Sequence, residues 1–181
     1  MSRIPALDPA SAQGDTKEMF EGLQKKMGGV INIFRTMGHS PALLKSYLGL
    51  SEILGKGKLS PAARESIALA TAGFNGCDYC AAAHSKIGAG KGLSEDEIEK
   101  NLRFQSADAK TQGILTFTKR VLETRGKVSD ADLQAAQKAG LSYEEIGEIV
   151  ANAAINILTN FHNNIAQTDV DFPKRALPKA A

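Results

Sequence analysis

Helix starts and helix stops recur at short intervals along this chain, and they leave room for little except a bundle of helices. Ser40-Pro41 and Ser60-Pro61 are matching starts. A serine side chain caps the free N–H groups of the first turn, and proline at the first helical position gives up a donor that had no partner. Gly55 and Gly57 close the first of these helices after about Leu54, and Asn75-Gly76 close the second after about Phe74. The same punctuation predicts helices over about Pro9 to Met27, Cys77 to Ile87, Ser94 to Phe104, Ala107 to Thr124, Asp130 to Ala139 and Ser142 to Ala166. Ser94 with Glu97, and Ser142 with Glu145, have the spacing of capping boxes. Val30 to Met37 reads as a short apolar stretch. β-branched alternation is rare and the linkers are short, so the expectation is one all-α domain over residues 1–168, with a proline-containing extended arm over 169–181.

Bulk properties exclude several functions. The 181 residues carry a formal net charge of +2, and the basic pairs Lys25-Lys26, Lys119-Arg120 and Lys174-Arg175 lie far apart, so no nucleic-acid footprint is expected. No apolar run approaches the roughly 18 to 20 residues that span a bilayer, and no membrane association is expected. The start Met1-Ser2-Arg3-Ile4-Pro5 lacks the features of a secretory signal, which makes a cytoplasmic protein the expectation. A permanent structural disulfide is unfavourable there.

Both cysteines of the chain lie in one stretch, Cys77-Asp78-Tyr79-Cys80, and His84 follows one turn later. On a helix, at about 100° per residue, Cys77, Cys80 and His84 share an arc of roughly 60°. The helix start after Asn75-Gly76 favours a thiolate, and an imidazole can take or return a proton at neutral pH. Glu65 sits in the preceding helix, and a tight turn at Asn75-Gly76 would fold its carboxyl group alongside Cys80 and His84, while Arg64 is expected at the surface. Two thiols with an imidazole fit redox cycling. Zinc held by Cys77, Cys80, His84 and Glu65 is one alternative, although the second CxxC pair common in structural sites is missing. Burial of two small thiols without chemistry is another.

Glu65, then Cys77-x-x-Cys80 twelve residues on, then x-x-x-His84 resembles the signature of the alkylhydroperoxidase D-like group in the carboxymuconolactone decarboxylase superfamily. The resemblance is strongest over residues 60–90 and weaker elsewhere, through the helical layout and the tail from Thr168 to Pro173. It implies an all-α fold of about eight helices and a homo-oligomer, often a trimer or hexamer. It also implies a thiol-dependent peroxidase that needs no metal, haem or flavin cofactor. By the same resemblance Cys80 is the peroxidatic thiol, more buried and nearer the base. Cys77 is the resolving thiol, nearer solvent, and Glu65 and His84 relay the proton. The partners implied are a hydroperoxide substrate and a dithiol reductant. Tyr79 departs from the pattern, because well-characterised members have a histidine there. Its helical position predicts that it points away from the Cys77/Cys80/His84 face, towards a subunit contact. The decarboxylase branch of the superfamily lacks the cysteine pair. A redox-responsive scaffold oligomer with little catalysis is the reading from another class.

Asn152, Asn156, Asn160 and Asn164 recur every four residues on the last long helix. Buried amides need hydrogen-bond partners, so this ridge is expected at a subunit interface or along the cleft near the thiols, with a partly solvated face as the alternative. His162 reads as structural, His39 as a loop residue and Tyr47 as an ordinary helix aromatic.

Overall fold

Side-chain caps set most of the helix boundaries in the computed structural model, which describes residues 2–178. Ser40 Oγ accepts from Leu43 N at 3.2 Å and Ser60 Oγ from Ala63 N at 3.1 Å. Proline takes the first helical position in both cases, opening α3 (Pro41–Leu54) and α4 (Pro61–Asn75). These follow α1 (Gly14–Met27) and α2 (Asn32–Met37) and precede α5 (Asp78–Gly90) and α6 (Glu95–Asn101). The last three are α7 (Ala109–Thr124), α8 (Asp130–Lys138) and α9 (Tyr143–Ala166). The described residues form no strand. The all-α expectation holds, and α9 opens with the expected capping box between Ser142 and Glu145.

The differences from the sequence reading are local. Asp8 caps a short 3₁₀ turn at Pro9–Ser11, so the first α-helix starts only at Gly14. The stretch read merely as apolar contains α2, which buries Ile33, Phe34 and Met37. Ser94 caps α6, but Glu97 does not turn back to complete the box. Its carboxylate reaches forward to Asn101, Ser106 and Ala107 and ties down the turn into α7, which Asp108 caps. The cysteine helix runs on through Gly88 to Gly90 rather than stopping at Ile87.

Helix α4 lies at the centre, packed chiefly against α9, α5 and α7. Its residues from Ser66 to Ala72 are all buried, which is unusual for a helix and explains why this stretch is small and apolar. Ala68, Ala70 and Ala72 let neighbouring helices approach closely. Gly76, at φ 63°, then turns the chain so that α5 folds back along α4. One apolar cluster joins α1, α2, α4 and α5 around Phe20, Phe34, Met37, Leu69 and Ala81, and a second joins α4, α7, α8 and α9 around Ile67, Ile114, Phe117 and Ile149.

The chain after α9 is extended and packed down. Asp171 Oδ2 accepts from Asn32 N at 2.9 Å and from the Tyr79 hydroxyl at 2.5 Å, and the Phe172 ring meets the Tyr79 ring edge-on at 5.8 Å. Arg175 donates to Ser85 Oγ at 3.1 Å and pairs with Glu95 at 2.5 Å. These contacts strap residues 169–177 across the cysteine helix. The last part of the expected arm, residues 179–181, lies outside the described residues.

Candidate active site

The site begins with a cap. Cys77 is the N-cap of α5 rather than its first helical residue, and its Sγ accepts from Cys80 N at 3.2 Å. Cys77 and Cys80 are joined by a disulfide, with their Cα atoms 5.3 Å apart. One turn further along α5, His84 Nδ1 lies 2.8 Å from Glu65 Oε2 on α4. The tight turn between the two helices brings the pair together, as expected from Asn75-Gly76. Both side chains are largely buried, at 21% and 16% exposure, so their bond is shielded from bulk water.

Two cavities flank this arrangement. The first, about 230 Å³, is walled mainly by apolar side chains and includes Cys80, His84, Tyr47, Tyr79, Phe34 and Asn163. The second, about 200 Å³, is more polar and includes Glu65, Arg64, Asn152 and Asn156. His84 and Tyr47 line both, so they form part of the wall between an apolar chamber holding a sulfur and a polar chamber holding a carboxylate. An imidazole in that wall, bonded to the carboxylate, is placed to carry protons from one chamber to the other.

Four expectations change. Cys77 is fully buried and lines neither cavity, whereas Cys80 is 3% exposed and opens into the first, so the sulfur expected nearer solvent is the more enclosed one. The cause is the capping role, which turns the Cys77 side chain inward over the first turn. Tyr79 does not point away from the site. It lines the first cavity, held by Asp171 and by the Ile33 backbone N–H at 3.3 Å, and burial followed by the Asp171 hydrogen bond pushes its hydroxyl well above the usual tyrosine range. Tyr47 is no ordinary helix aromatic. It lines both cavities, and burial, reinforced by the nearby Glu65 charge, raises its pKa. Arg64 is half-buried rather than a surface residue, with its guanidinium donating to Leu59 O at 2.5 Å.

The asparagine ridge divides. Asn152 and Asn156 are buried and line the polar cavity, each donating its amide to the carbonyl four residues back, at 2.8 Å in both cases. Asn160 accepts from Asn75 Nδ2 at 2.9 Å, while Asn164 is exposed and donates to Asn75 O at 3.0 Å. The amide that reaches the sulfur is off the ridge: Asn163 Nδ2 donates to Cys80 Sγ at 3.3 Å. Nothing in the sequence separates Asn163 from its neighbours, because helical phase alone does not say which face meets α5. Among the described residues, no group of three His, Cys, Asp or Glu side chains is arranged to hold a metal ion, and no helix is long and apolar enough to cross a membrane.

His39 and His162 lie apart from this chemistry. His39 Nε2 is 2.8 Å from Pro5 O. His162 Nε2 is 2.9 Å from Thr36 Oγ1, joining α9 to α2. Burial holds the His162 pKa below the usual histidine value. A histidine whose folded pKa is depressed binds its proton more readily in the unfolded chain, so the folded state loses stability as pH falls from about 6.5 through that lowered value. Urea unfolding of wild type between pH 7 and pH 5 should show this loss, and His162→Gln should flatten it. An unchanged acid slope in the variant would place the effect elsewhere.

Comparison with known proteins agrees with this geometry. Residues 41–123, which span α3 to most of α7, match the carboxymuconolactone decarboxylase family. The alkylhydroperoxidase AhpD core structure of an uncharacterized peroxidase-related protein from Ralstonia eutropha JMP134 superposes with a TM-score of 0.85 at 25% identity, covering 94% of this chain and 92% of that one. A peroxidase-related protein from Silicibacter sp. TM1040 shares the fold at 21% identity and TM-score 0.75, covering 96% and 90% of the two chains. The debrominase Bmp8 shares it at 20% identity and TM-score 0.76, with 93% and 91% covered. No curated protein sequence matches the chain significantly. The helical order, the family segment and the Glu65, Cys77, Cys80 and His84 constellation agree: residues 41–123 match the carboxymuconolactone decarboxylase family, and the chain is similar to the AhpD core structure over nearly its whole length.

Proposed function

We propose that this protein is a thiol-dependent hydroperoxide reductase that cycles through the Cys77–Cys80 disulfide. One observation carries the reading: a CxxC pair at a helix N-terminus opens one sulfur into an apolar cavity whose wall includes His84, itself bonded to Glu65 in the adjoining polar cavity. The family match and the fold neighbours point in the same direction, towards a peroxidase-related enzyme.

In the reduced enzyme the Cys80 thiolate attacks one oxygen of the hydroperoxide. The S–O bond forms as the O–O bond breaks, leaving a sulfenic acid on Cys80 and an alkoxide that takes a proton and departs as the alcohol. His84 supplies that proton, and Glu65 steadies the imidazolium between turnovers. The Cys77 thiol then gives its proton to His84 and attacks the sulfenic sulfur, the S–S bond forms, and the displaced hydroxide takes that proton and leaves as water. A dithiol donor returns two electrons and two protons by exchange, its own thiols becoming a disulfide. The helix N-terminus supports both thiolate stages. A reducing compartment such as the cytoplasm would supply the donor.

The test is steady-state consumption of an organic hydroperoxide with dithiothreitol as donor. Glu65→Gln keeps the shape and removes the charge. It should lower the rate by about tenfold to a hundredfold, the size of a general acid–base contribution. Equal rates for wild type and Glu65→Gln would remove the relay from the mechanism.

The proposed assembly is a homotrimer or homohexamer. Val150, Leu158, Phe161 and Ile165 form an exposed apolar stripe along α9, with Phe161 54% and Ile165 61% exposed. A stripe of this kind on the longest helix supports burial against a second copy of the chain. Light scattering should give a mass of three or six chains, and Phe161→Glu should lower it. A monomeric wild type would reject the assembly.

A further inference from the structure

We propose that Asn163 is a catalytic residue of this site: its Nδ2 holds the Cys80 sulfur, and its Oδ1 receives the O–H of the hydroperoxide. The second half rests on the peroxidase reading above. The first half stands on the sulfur contact alone.

Three observations single out Asn163 among the amides of α9. Its Nδ2 lies 3.3 Å from Cys80 Sγ, a contact between elements rather than within one helix. The side chain is 3% exposed and lines the same apolar cavity as Cys80 and His84. Its Oδ1 is buried with no hydrogen-bond partner among the described residues. Asn152 and Asn156 differ, because both spend their amide N–H on their own helix. Asn160 also leaves one amide atom without a partner, but it lines neither cavity. A buried amide oxygen left without a donor is destabilising, so its retention beside a reactive sulfur calls for a ligand that donates a hydrogen bond.

An organic hydroperoxide supplies that donor. Its apolar group suits the aliphatic and aromatic walls around Phe34 and Tyr47, and its terminal O–H is a donor of the kind Oδ1 lacks. With that O–H held by Oδ1 and the sulfur held by Nδ2, one planar amide brackets both reacting partners. When the thiolate attacks, the S–O bond forms, the O–O bond breaks, and the alkoxide takes its proton from His84. Asn163 transfers no proton itself. In the disulfide the sulfur is a weak acceptor. On reduction it becomes an anion, and the same N–H then makes a charge-assisted bond that favours the thiolate.

Other groups also set the sulfur's ionisation. His84 and Tyr79 share its helix and cavity, and Asp78 lies on the first turn. Glu65 on α4 acts through His84, Tyr47 faces the cavity from α3, and Lys26 on α1 contributes to its wall. The test therefore compares variants in which all of these stay fixed. In a Cys77→Ser background Cys80 is the sole thiol, and its alkylation by iodoacetamide against pH reads its ionisation. Asn163→Ala should raise the midpoint by about one unit, the equivalent of one lost hydrogen bond to a charged group. Asn163→Asp, of the same shape but with an acceptor replacing the amide N–H₂, should move it in the same direction, and it serves where the alanine variant fails to fold. In the two-cysteine protein, Asn163→Ala should also raise KM for cumene hydroperoxide. An unmoved midpoint in a folded variant overturns the sulfur contact, and an unmoved KM overturns the substrate contact. A wild type that consumes no hydroperoxide would overturn the peroxidase reading and the Oδ1 half with it, while the alkylation midpoint still decides the Nδ2 half.

Discussion

Cys80→Ser should abolish hydroperoxide turnover, with a loss of about a thousandfold or more, because a neutral hydroxyl replaces the attacking thiolate. Cys77→Ser should behave differently. It retains the sulfur that faces the cavity, so it should consume one equivalent of hydroperoxide and then stall with one added oxygen atom on Cys80. The asymmetry follows from the cap geometry. Cys77 is fully enclosed, lines neither cavity and holds the Cys80 backbone N–H, whereas Cys80 opens into the apolar chamber beside His84. Single-turnover peroxide consumption with mass analysis of each variant checks the assignment. Full steady-state turnover by Cys80→Ser would end the mechanism. A single turnover by Cys80→Ser and none by Cys77→Ser would exchange the two roles.

The parts of this site legible in the sequence are those fixed by short-range chemistry. Serine caps, prolines at the first helical position and Asn75-Gly76 place α4 and α5 side by side, and the Glu65–His84 pair follows from that turn alone. What sequence could not supply comes from elements far away along the chain. Tyr47 arrives from α3 and Asn163 from α9, and the strap of residues 169–177 reaches back to hold Tyr79. Each of these depends on which face of one helix meets which face of another. A helical repeat states the phase of a face but not its partner, so a ridge at 152, 156, 160 and 164 was visible while the single amide that touches sulfur was not. The Cys77 reversal has a more local cause. A residue at the boundary of a helix does not share the angular spacing of the residues inside it, so Cys77, as the N-cap, departs from the regular spacing on which the arc through Cys77, Cys80 and His84 rests.

Gly73→Ala should destabilise the fold by about 2 kcal/mol or more, although the same change at Gly49 should stabilise it by up to about 1 kcal/mol. Both glycines lie inside helices, where alanine is the better helix former. Their surroundings set the sign. A Cβ at Gly49 on α3 meets nothing within 4 Å. A Cβ at Gly73 on α4 would overlap the carbonyl oxygen of Leu102 and lie 3.1 Å from its carbonyl carbon, both backbone atoms. No side-chain rotation relieves that overlap, so α4 and the end of α6 must separate. Leu102 and Ile98 are buried in the core beside α4, and separation loosens their packing. The movement also bears on the site, because α4 carries Glu65 and its bond to His84 spans the groove between α4 and α5. Urea midpoints for wild type, Gly49→Ala and Gly73→Ala, at unchanged denaturant slopes, measure the contrast directly. Equal midpoints for the two variants would mean that α4 and α6 do not approach at Gly73, and the close central packing that holds Glu65 in place would have to be abandoned.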